Sequence, residues 1–401
     1  MITIQLLQAG VGDTILVSIL PTDKDKPDTR LLIDAGYHFR TNTLPVLKEL
    51  PEGSKIDRLI ITHYDADHIA GARSFIKKNG FFNQPKIISV NQIWLNSFRH
   101  LQEEKREPAT PADIVKLKAL ITDLPQPPES DNEHEISAAQ ASLLGAELIR
   151  YEYPWNTDFN EKAVCVEHGP VIQINDIKIT ILSPDKKAIN ELEEDFIEFL
   201  KSKKIPVSDT VLIDDAFELY LQQEQKKKEG KISAPPVITA DYIRKCSDGK
   251  GYSPDKESSN GSSIAFILEA EEKRFLFLGD AHAESIITAL KEKYREKTTF
   301  PVYFDAVKVA HHGSFRNNNP DLFKLIDSPK WLFSTSGEHS TAQHPDIETI
   351  ACIINRTLPK NITTRILSFN HKLEHLTGLN KPDLKAEFRY DMKVEINSEW
   401  K

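Results

Sequence analysis

Short apolar runs separated by turn residues open the chain. Residues 2–7, 14–20 and 31–33 read as strands, divided by Gly10, Gly12 and the polar stretch 21–28. Residues 43–50 follow as a short helix, 58–62 as a strand, 69–78 as a helix, and 86–90 with 93–95 as a further strand region. Strands alternating with helices specify a mixed α/β core. The hairpin-like spacing at the start predicts a partly antiparallel sheet rather than a doubly wound one. Residues 96–160 are less regular, with Pro108, Pro111 and the turn Pro125-Gln126-Pro127-Pro128, and a helix is expected at 136–144. A strand pattern returns at 171–182.

From 187 to about 229 the chain is charged and helical in pattern, with helices expected at 191–200 and 214–225 before Lys226-Lys227-Lys228. Residues 247–261 are polar and turn-rich. The segment 186–259 therefore reads either as an inserted helical cap or as ordinary surface helices. The core resumes with a hairpin, 264–269 and 274–278, ending at Gly279-Asp280. After a helix at 284–293, the strand 306–310 runs into His311-His312-Gly313. A further strand, 331–334, leads through His339 to His344-Pro345, and a helix is expected at 346–355. The tail from 362 to 398 is expected to be ordered and to contain strands, and no internal repeat is visible.

Composition narrows the picture. The chain has 401 residues, enough for one elaborated domain or two, and its 39% hydrophobic content is ordinary for a soluble protein. No stretch is apolar enough to cross a membrane, and the start lacks a signal-peptide pattern, so a cytoplasmic protein without a membrane partner is expected. Cys165, Cys246 and Cys352 are far apart, which argues against a disulfide framework or a thiolate metal knuckle. A net charge of −9 argues against broad electrostatic coating of nucleic acid.

The chemistry concentrates at 62–71, Thr-His-Tyr-Asp-Ala-Asp-His-Ile-Ala-Gly. His63, Asp65, Asp67 and His68 follow directly on the apolar run Leu59-Ile60-Ile61. Carboxylates and neutral imidazoles suit zinc, manganese or iron, and this spacing can divide ligands between two ions. A helix-capping aspartate would explain Asp67 alone, but not the other three. Asp280, at the end of Phe275-Leu276-Phe277-Leu278, is a second contributor and a candidate bridging ligand. His311-His312 is a third, with one ring on metal and the other at a leaving group or supporting the ligands. Three strand ends thus present His or Asp.

At these residues the chain resembles the metallo-beta-lactamase-fold hydrolase superfamily. The first metal motif there is usually His-x-His-x-Asp-His, whereas this chain has His63-x-Asp65-x-Asp67-His68. That form is similar to the beta-lactamase-like domain of bacterial DNA-uptake competence proteins. Gly10-Val11-Gly12-Asp13, Leu31-Leu32-Ile33-Asp34-Ala35-Gly36, residues 260–268, Arg274 through Asp280, residues 307–314 and the stretch from Gly337 to His344-Pro345 resemble further motifs of that branch. The likeness covers about 1–95 and 170–350, without the membrane channel of the competence proteins.

The resemblance implies an αββα sandwich over 1–350 with elaborations at about 96–160 and 186–259, and a C-terminal extension over 351–401 packed on the core. It implies two divalent metal ions, zinc first and manganese as the alternative. The ligands implied are His63, Asp65, Asp67, His68, Asp280 and one of His311 or His312, with His312 preferred. Asp34 would support the site, and His344 would lie near substrate or metal. A further metal histidine common in the family has no convincing equivalent; His134 and His168 are unassigned.

The reaction expected is hydrolysis by a dinuclear-metal-activated water, with Asp67, His311 and His344 as catalytic residues and a phosphodiesterase or nuclease as the leading reading. Alternatives are a hydrolase of a small phosphorylated or acyl substrate, or a catalytically weak interaction protein in a bacterial multiprotein system, docking through the two elaborations. No Gly-x-Ser-x-Gly motif supports a serine nucleophile. Lys308, Arg316 and the lysine run could hold phosphate, though solvated charge explains the run better. Trp94, Trp155 and Trp331 could stack bases, though core positions explain them better.

Overall fold

The computed structural model describes the chain apart from Lys24, residues 103–105, 126–142, 227–236, 297–298, 339–342 and Asn361, and apart from the side chains of 224–226. His134, His339, most of the helix expected at 136–144, Lys227 and Lys228 lie outside the described residues, as does the side chain of Lys226.

Two large sheets form the frame. The first has six strands in the order Asn397–Trp400, Ile2–Leu6, Ile15–Ile19, Thr29–Ile33, Arg58–Ile60 and Ile93–Trp94. The second has eight, in the order Tyr390–Val394, Arg365–Phe369, Lys330–Phe333, Ala306–Lys308, Lys273–Phe277, Ala265–Ala270, Ile177–Ser183 and Val171–Ile174. Each sheet joins an antiparallel part to a parallel part. This matches the mixed pattern expected from the hairpin spacing at the start.

Period-two alternation divides the apolar side chains between layers. Ile4, Val17, Leu31 and Ile33 of the first sheet meet Ile179, Phe266, Phe275 and Phe277 of the second in one shared core. The opposite phase of the first sheet, Leu16, Leu32, Leu59 and Ile61, lies under helices carrying Phe75, Leu117, Leu148, Phe196 and Phe217. Ile267, Leu276, Val307 and Trp331 of the second sheet lie under helices carrying Ile286, Leu322 and Ile350. Each fully buried side chain of this size contributes about 1.5–3 kcal/mol by leaving water. A one-residue slip in any of these strands would exchange the layers.

The structure corrects several local expectations. The stretch 96–160 contains a regular helix, Pro111–Asp123, opened by a reciprocal capping box between Thr110 and Asp113. The expected strand at 171–182 is a hairpin, Val171–Ile174 and Ile177–Ser183. The segment 186–259 is not one unit. Lys186–Ser202 and Val211–Lys226 join the helical layer on the first sheet, while Ala240–Cys246 packs on Ile347–Ile354 beside the second. The strand pair Val302–Tyr303 and Ile326–Asp327 was not anticipated. The last strand, Asn397–Trp400, pairs with Ile2–Leu6, so the tail closes the first sheet after two of its strands extend the second. Among the described residues no helix is long and apolar enough to cross a membrane.

Candidate metal centre

Parallel strands place their carboxyl ends on one side of a sheet, the usual location of sites in such sheets. Here the strands ending at Ile33, Ile60, Phe277, Lys308 and Phe333 run into Asp34, the 62–68 loop, Asp280, His311-His312 and Ser334. Asp65 is the N-cap residue of the helix Ala66–Asn79, yet its side chain makes no capping bond. It accepts from Ser259 Oγ at 2.7 Å instead. Asp67 lies in the first helical turn, and its Oδ2 is 3.2 Å from His312 Nε2. Capping therefore does not account for these aspartates.

Four imidazoles point their Nε2 atoms at three carboxylates. His63, His68 and His311 place Nε2 at 3.8, 3.6 and 3.6 Å from Asp280 Oδ2. His63 Nε2 is also 3.4 Å from Asp65 Oδ2. His68 Nε2 is 3.8 Å from Asp67 Oδ2. Most of these separations are too long for hydrogen bonds. They match two ligands of one ion: donors 2.0–2.2 Å from a tetrahedral centre lie about 3.3–3.6 Å apart. His63 Nε2, His68 Nε2 and Asp280 Oδ1 are buried without a hydrogen-bond partner among the described residues. Such orphaned atoms are costly unless something binds them.

The other ring nitrogen of each imidazole is held from behind. His63 Nδ1 contacts Thr62 Oγ1 at 3.0 Å, and that hydroxyl donates to Asp34 Oδ2. His68 Nδ1 donates to Asp34 Oδ2 at 2.8 Å, and His312 Nδ1 to the Ser334 carbonyl at 2.8 Å. His311 Nδ1 meets Asn317 Oδ1 at 3.0 Å, and Asn317 Nδ2 donates to Asp255 Oδ2 and to the Asp280 carbonyl. With Nδ1 protonated and engaged, each Nε2 keeps its lone pair for a metal.

Among the described residues three side-chain groups are compact enough to hold an ion: His63, His68 and Asp280; Asp67, His68 and His312; and Asp13, Asp34 and His68. The third is a hydrogen-bonded support instead. Asp34 accepts from the Thr62 amide, the Thr62 hydroxyl and His68 Nδ1. The first two groups share His68. The donor set, imidazole and carboxylate only, fits divalent zinc or manganese.

The charges respond to one another. Burial alone would lower the His312 pKa, but Asp13, Asp280 and Asp67 overcome it and raise it to about 10. His68 is likewise raised against its burial, by Asp280, Asp34 and Asp67. Burial would raise the Asp280 pKa, yet the charges of His311, His68 and His312 hold it well below the carboxylate range. The neighbouring carboxylates thus favour protons on His68 and His312. Metal uptake must displace them, so apparent affinity should rise with pH, by about tenfold per unit for each proton released. The sign for stability is opposite. The His312 proton stabilises the metal-free fold fully below pH 6.5, and that contribution is lost as pH rises towards about 10. Zinc titration calorimetry between pH 6 and 8 in buffers of different ionisation enthalpy reads the proton release; a pH-independent affinity would contradict this charge balance.

His344 stands beside His311, ring centroids 5.5 Å apart, with Nδ1 3.7 Å from Asp346 Oδ1. It belongs to none of the compact groups among the described residues. His168 turns its Nδ1 to the Ala163 carbonyl at 2.9 Å and likewise joins none of them. Lys308 is not a surface cation: it is 1% exposed and its Nζ lies 2.6 Å from Asp13 Oδ2. Trp94, Trp155 and Trp331 are all buried, which rules them out as an open stacking surface. Arg316 is half-exposed, with Nη2 3.7 Å from Asp255 Oδ1. Sequence reasoning did not place Asp13, Asp255, Ser259 or Asn317 at the site. Only Asp13 carried a usable signal, its Gly-x-Gly-Asp setting after the first strand.

Residues 15–82 match the family model of the metallo-beta-lactamase superfamily. That stretch includes the strands ending at Ile33 and Ile60, the 62–68 loop and the helix Ala66–Asn79. The chain has a mixed α/β fold related to that superfamily. No curated protein matches it. Among solved structures it is similar to the metallo-beta-lactamase fold protein YhfI from Bacillus subtilis, at 8% identity and a TM-score of 0.35, over 100% of each chain.

Proposed function

We propose that this chain is a metal-dependent hydrolase acting on phosphodiesters. We read its layers as an αββα sandwich whose two sheets also include the strands of the 351–401 segment, and its site as that of the competence-protein branch. The observation that carries the proposal is the convergence of buried, partnerless His63 Nε2, His68 Nε2 and Asp280 Oδ1 with Asp65, Asp67 and His312. In this reading His63, Asp65 and Asp280 hold one ion, and Asp67, His68 and His312 the other, with Asp280 between them. Zinc is the first expectation and manganese the second. When bound, such ions supply Lewis acidity and a hydroxide nucleophile at neutral pH.

The chain's own residues do the rest. Asp34 and Thr62 fix the ring orientations of His63 and His68. His311 is the most open of the four convergent imidazoles, its side chain 26% exposed. Asn317 holds its far nitrogen, which suits it to deliver a proton to the leaving oxygen, with His344 alongside.

Between a polymeric and a small phosphodiester, one observation favours the small one. Lys308 and the three tryptophans are buried, which leaves Arg316 as the exposed candidate for gripping a strand among the described residues. Docking of a protein partner through the elaborations has weaker support, because the described helices there bury their apolar faces in the core.

The test is metal analysis together with cleavage of bis-p-nitrophenyl phosphate and short single-stranded DNA, by wild type and Asp67→Asn. Two metal equivalents and wild-type cleavage that the variant reduces by about 10²-fold or more are expected. Metal binding with neither cleavage would refute the phosphodiester reading, and no bound metal would refute the metal reading.

A further inference from the structure

Behind the pair Asp67 and His312 lies a buried ion pair. Lys308 Nζ and Asp13 Oδ2 are 2.6 Å apart, and both residues are 1% exposed. Neither touches solvent, so neither is suited to meet substrate. Charges this deep are costly to desolvate, and their placement needs a reason beyond stability.

Asp13 lies beside His312 and His68, two of the three side chains that frame one metal position. Its Oδ1 has no hydrogen-bond partner among the described residues and faces His312 Nδ1 at 3.4 Å. It shares a compact group with His68 and Asp34. Its loop also sets the ligand backbone. The Asp13 carbonyl accepts from the Gly36 amide at 3.0 Å, and a Cβ on Gly12 would lie 1.8 Å from the Asp67 carbonyl oxygen. The Gly12 carbonyl accepts from Ser334 Oγ, and the Ser334 carbonyl accepts from His312. His63 and Asp65 are instead held by Thr62 and Ser259.

We infer that the Asp13–Lys308 pair is a positioning device for the metal position framed by Asp67, His68 and His312, acting through His312 and selective for that position. This rests on the dinuclear reading above. The Ser334 carbonyl takes the His312 Nδ1 proton at 2.8 Å, and the Asp13 carboxylate lies 3.4 Å from the same nitrogen, so Asp13 acts on the ring by its charge and through the loop that holds Ser334. Lys308 holds that carboxylate ionised and aimed without adding a further net negative charge to the site. The lysine Nζ also donates to the Val309 carbonyl at 3.2 Å, on the segment leading to His311-His312. The salt bridge is thereby tied to the histidines' own strand.

The experiment uses the full chain and cobalt(II) or zinc(II) as the probe. Metal affinity and stoichiometry are measured by competition with a chromophoric chelator, and the cobalt ligand-field spectrum reports the geometry. The main variant is Asp13→Asn with Lys308→Met, which removes both charges together and leaves no lone buried ion. Asp13→Asn alone is the second variant, should the double one not fold by near-ultraviolet circular dichroism. Lys308→Arg keeps the pair's charges and serves as the conservative control.

The expected result is one equivalent bound as in wild type and one weakened by about 10–100-fold, the range for partners that orient a ligand. The retained equivalent should disappear on adding His63→Ala and survive adding Asp67→Asn. Lys308→Arg should restore much of the lost affinity relative to the neutral pair. Two equivalents at wild-type affinity in a folded variant would overturn the inference, and so would equal weakening of both. A wild-type chain that takes up no metal would overturn the dinuclear reading first and this inference with it.

Discussion

Asp280→Asn should lower hydrolysis by roughly 10³-fold or more and reduce bound metal, while leaving the fold intact. The substitution is specific because the Asp280 backbone is held independently of its carboxylate. Its amide donates to Ser263 Oγ at 2.9 Å, and its carbonyl accepts from Asn317. What asparagine changes is the charge on which three imidazoles converge at 3.6–3.8 Å. An amide is neutral and a poor metal ligand beside a carboxylate, and it cannot serve two ions at once. The loss should exceed that of Asp34→Asn, since Asp34 acts through Thr62 and His68, where about 10–100-fold is typical. Steady-state kinetics on bis-p-nitrophenyl phosphate with metal analysis provides the reading. Asp280→Asn retaining both ions and most of its rate would remove Asp280 from the centre of the site.

The parts of the site that were legible in the sequence share one physical form. Each is a short apolar run that ends abruptly in His or Asp, and a run too short for a helix reads as a buried strand. Leu59-Ile60-Ile61 before His63 and Phe275-Leu276-Phe277-Leu278 before Asp280 are of this kind. Once both sheets are partly parallel, such ends gather at one side, and Asp67 meets His312 across 245 residues of chain. The partners behind the ligands had no such signature. Ser259 reaches Asp65 across 194 residues, and nothing in a serine within a polar loop announces it. Lys308 misled, because a lysine near a histidine pair reads as an open cation until the topology buries it against Asp13. The helix Pro111–Asp123 was missed for a different reason. Its prolines read as breakers, whereas Pro111 sits at the first helical position, where its missing amide hydrogen costs nothing.

Gly12→Ala is the second large effect expected, and it tests the packing of the site rather than its charges. The phi angle of Gly12 is ordinary, so space alone decides the outcome. An added Cβ would lie 1.8 Å from the Asp67 carbonyl oxygen, 2.6 Å from its carbonyl carbon and 2.7 Å from its Cβ. All three atoms belong to the start of the ligand helix. Gly36 makes the same approach from the other side, where a Cβ would lie 2.2 Å from that oxygen. The helix start cannot retreat freely, because the Ala35 amide donates to the His68 carbonyl and the Gly71 and Ala72 amides donate to the Ala35 carbonyl. The methyl group must therefore move either the 10–14 loop with Asp13 or the helix turn with Asp67. The expected cost is about 3 kcal/mol of stability, the upper end for overpacking, with one metal equivalent weakened. Gly251→Ala is the matched control, since nothing lies within 4 Å of a Cβ there. Urea denaturation and metal titration of the two variants read the difference. Equal stability and equal metal binding would mean that the loop and the helix are not locked together, and that the order of the Asp67 position comes from its side-chain contacts alone.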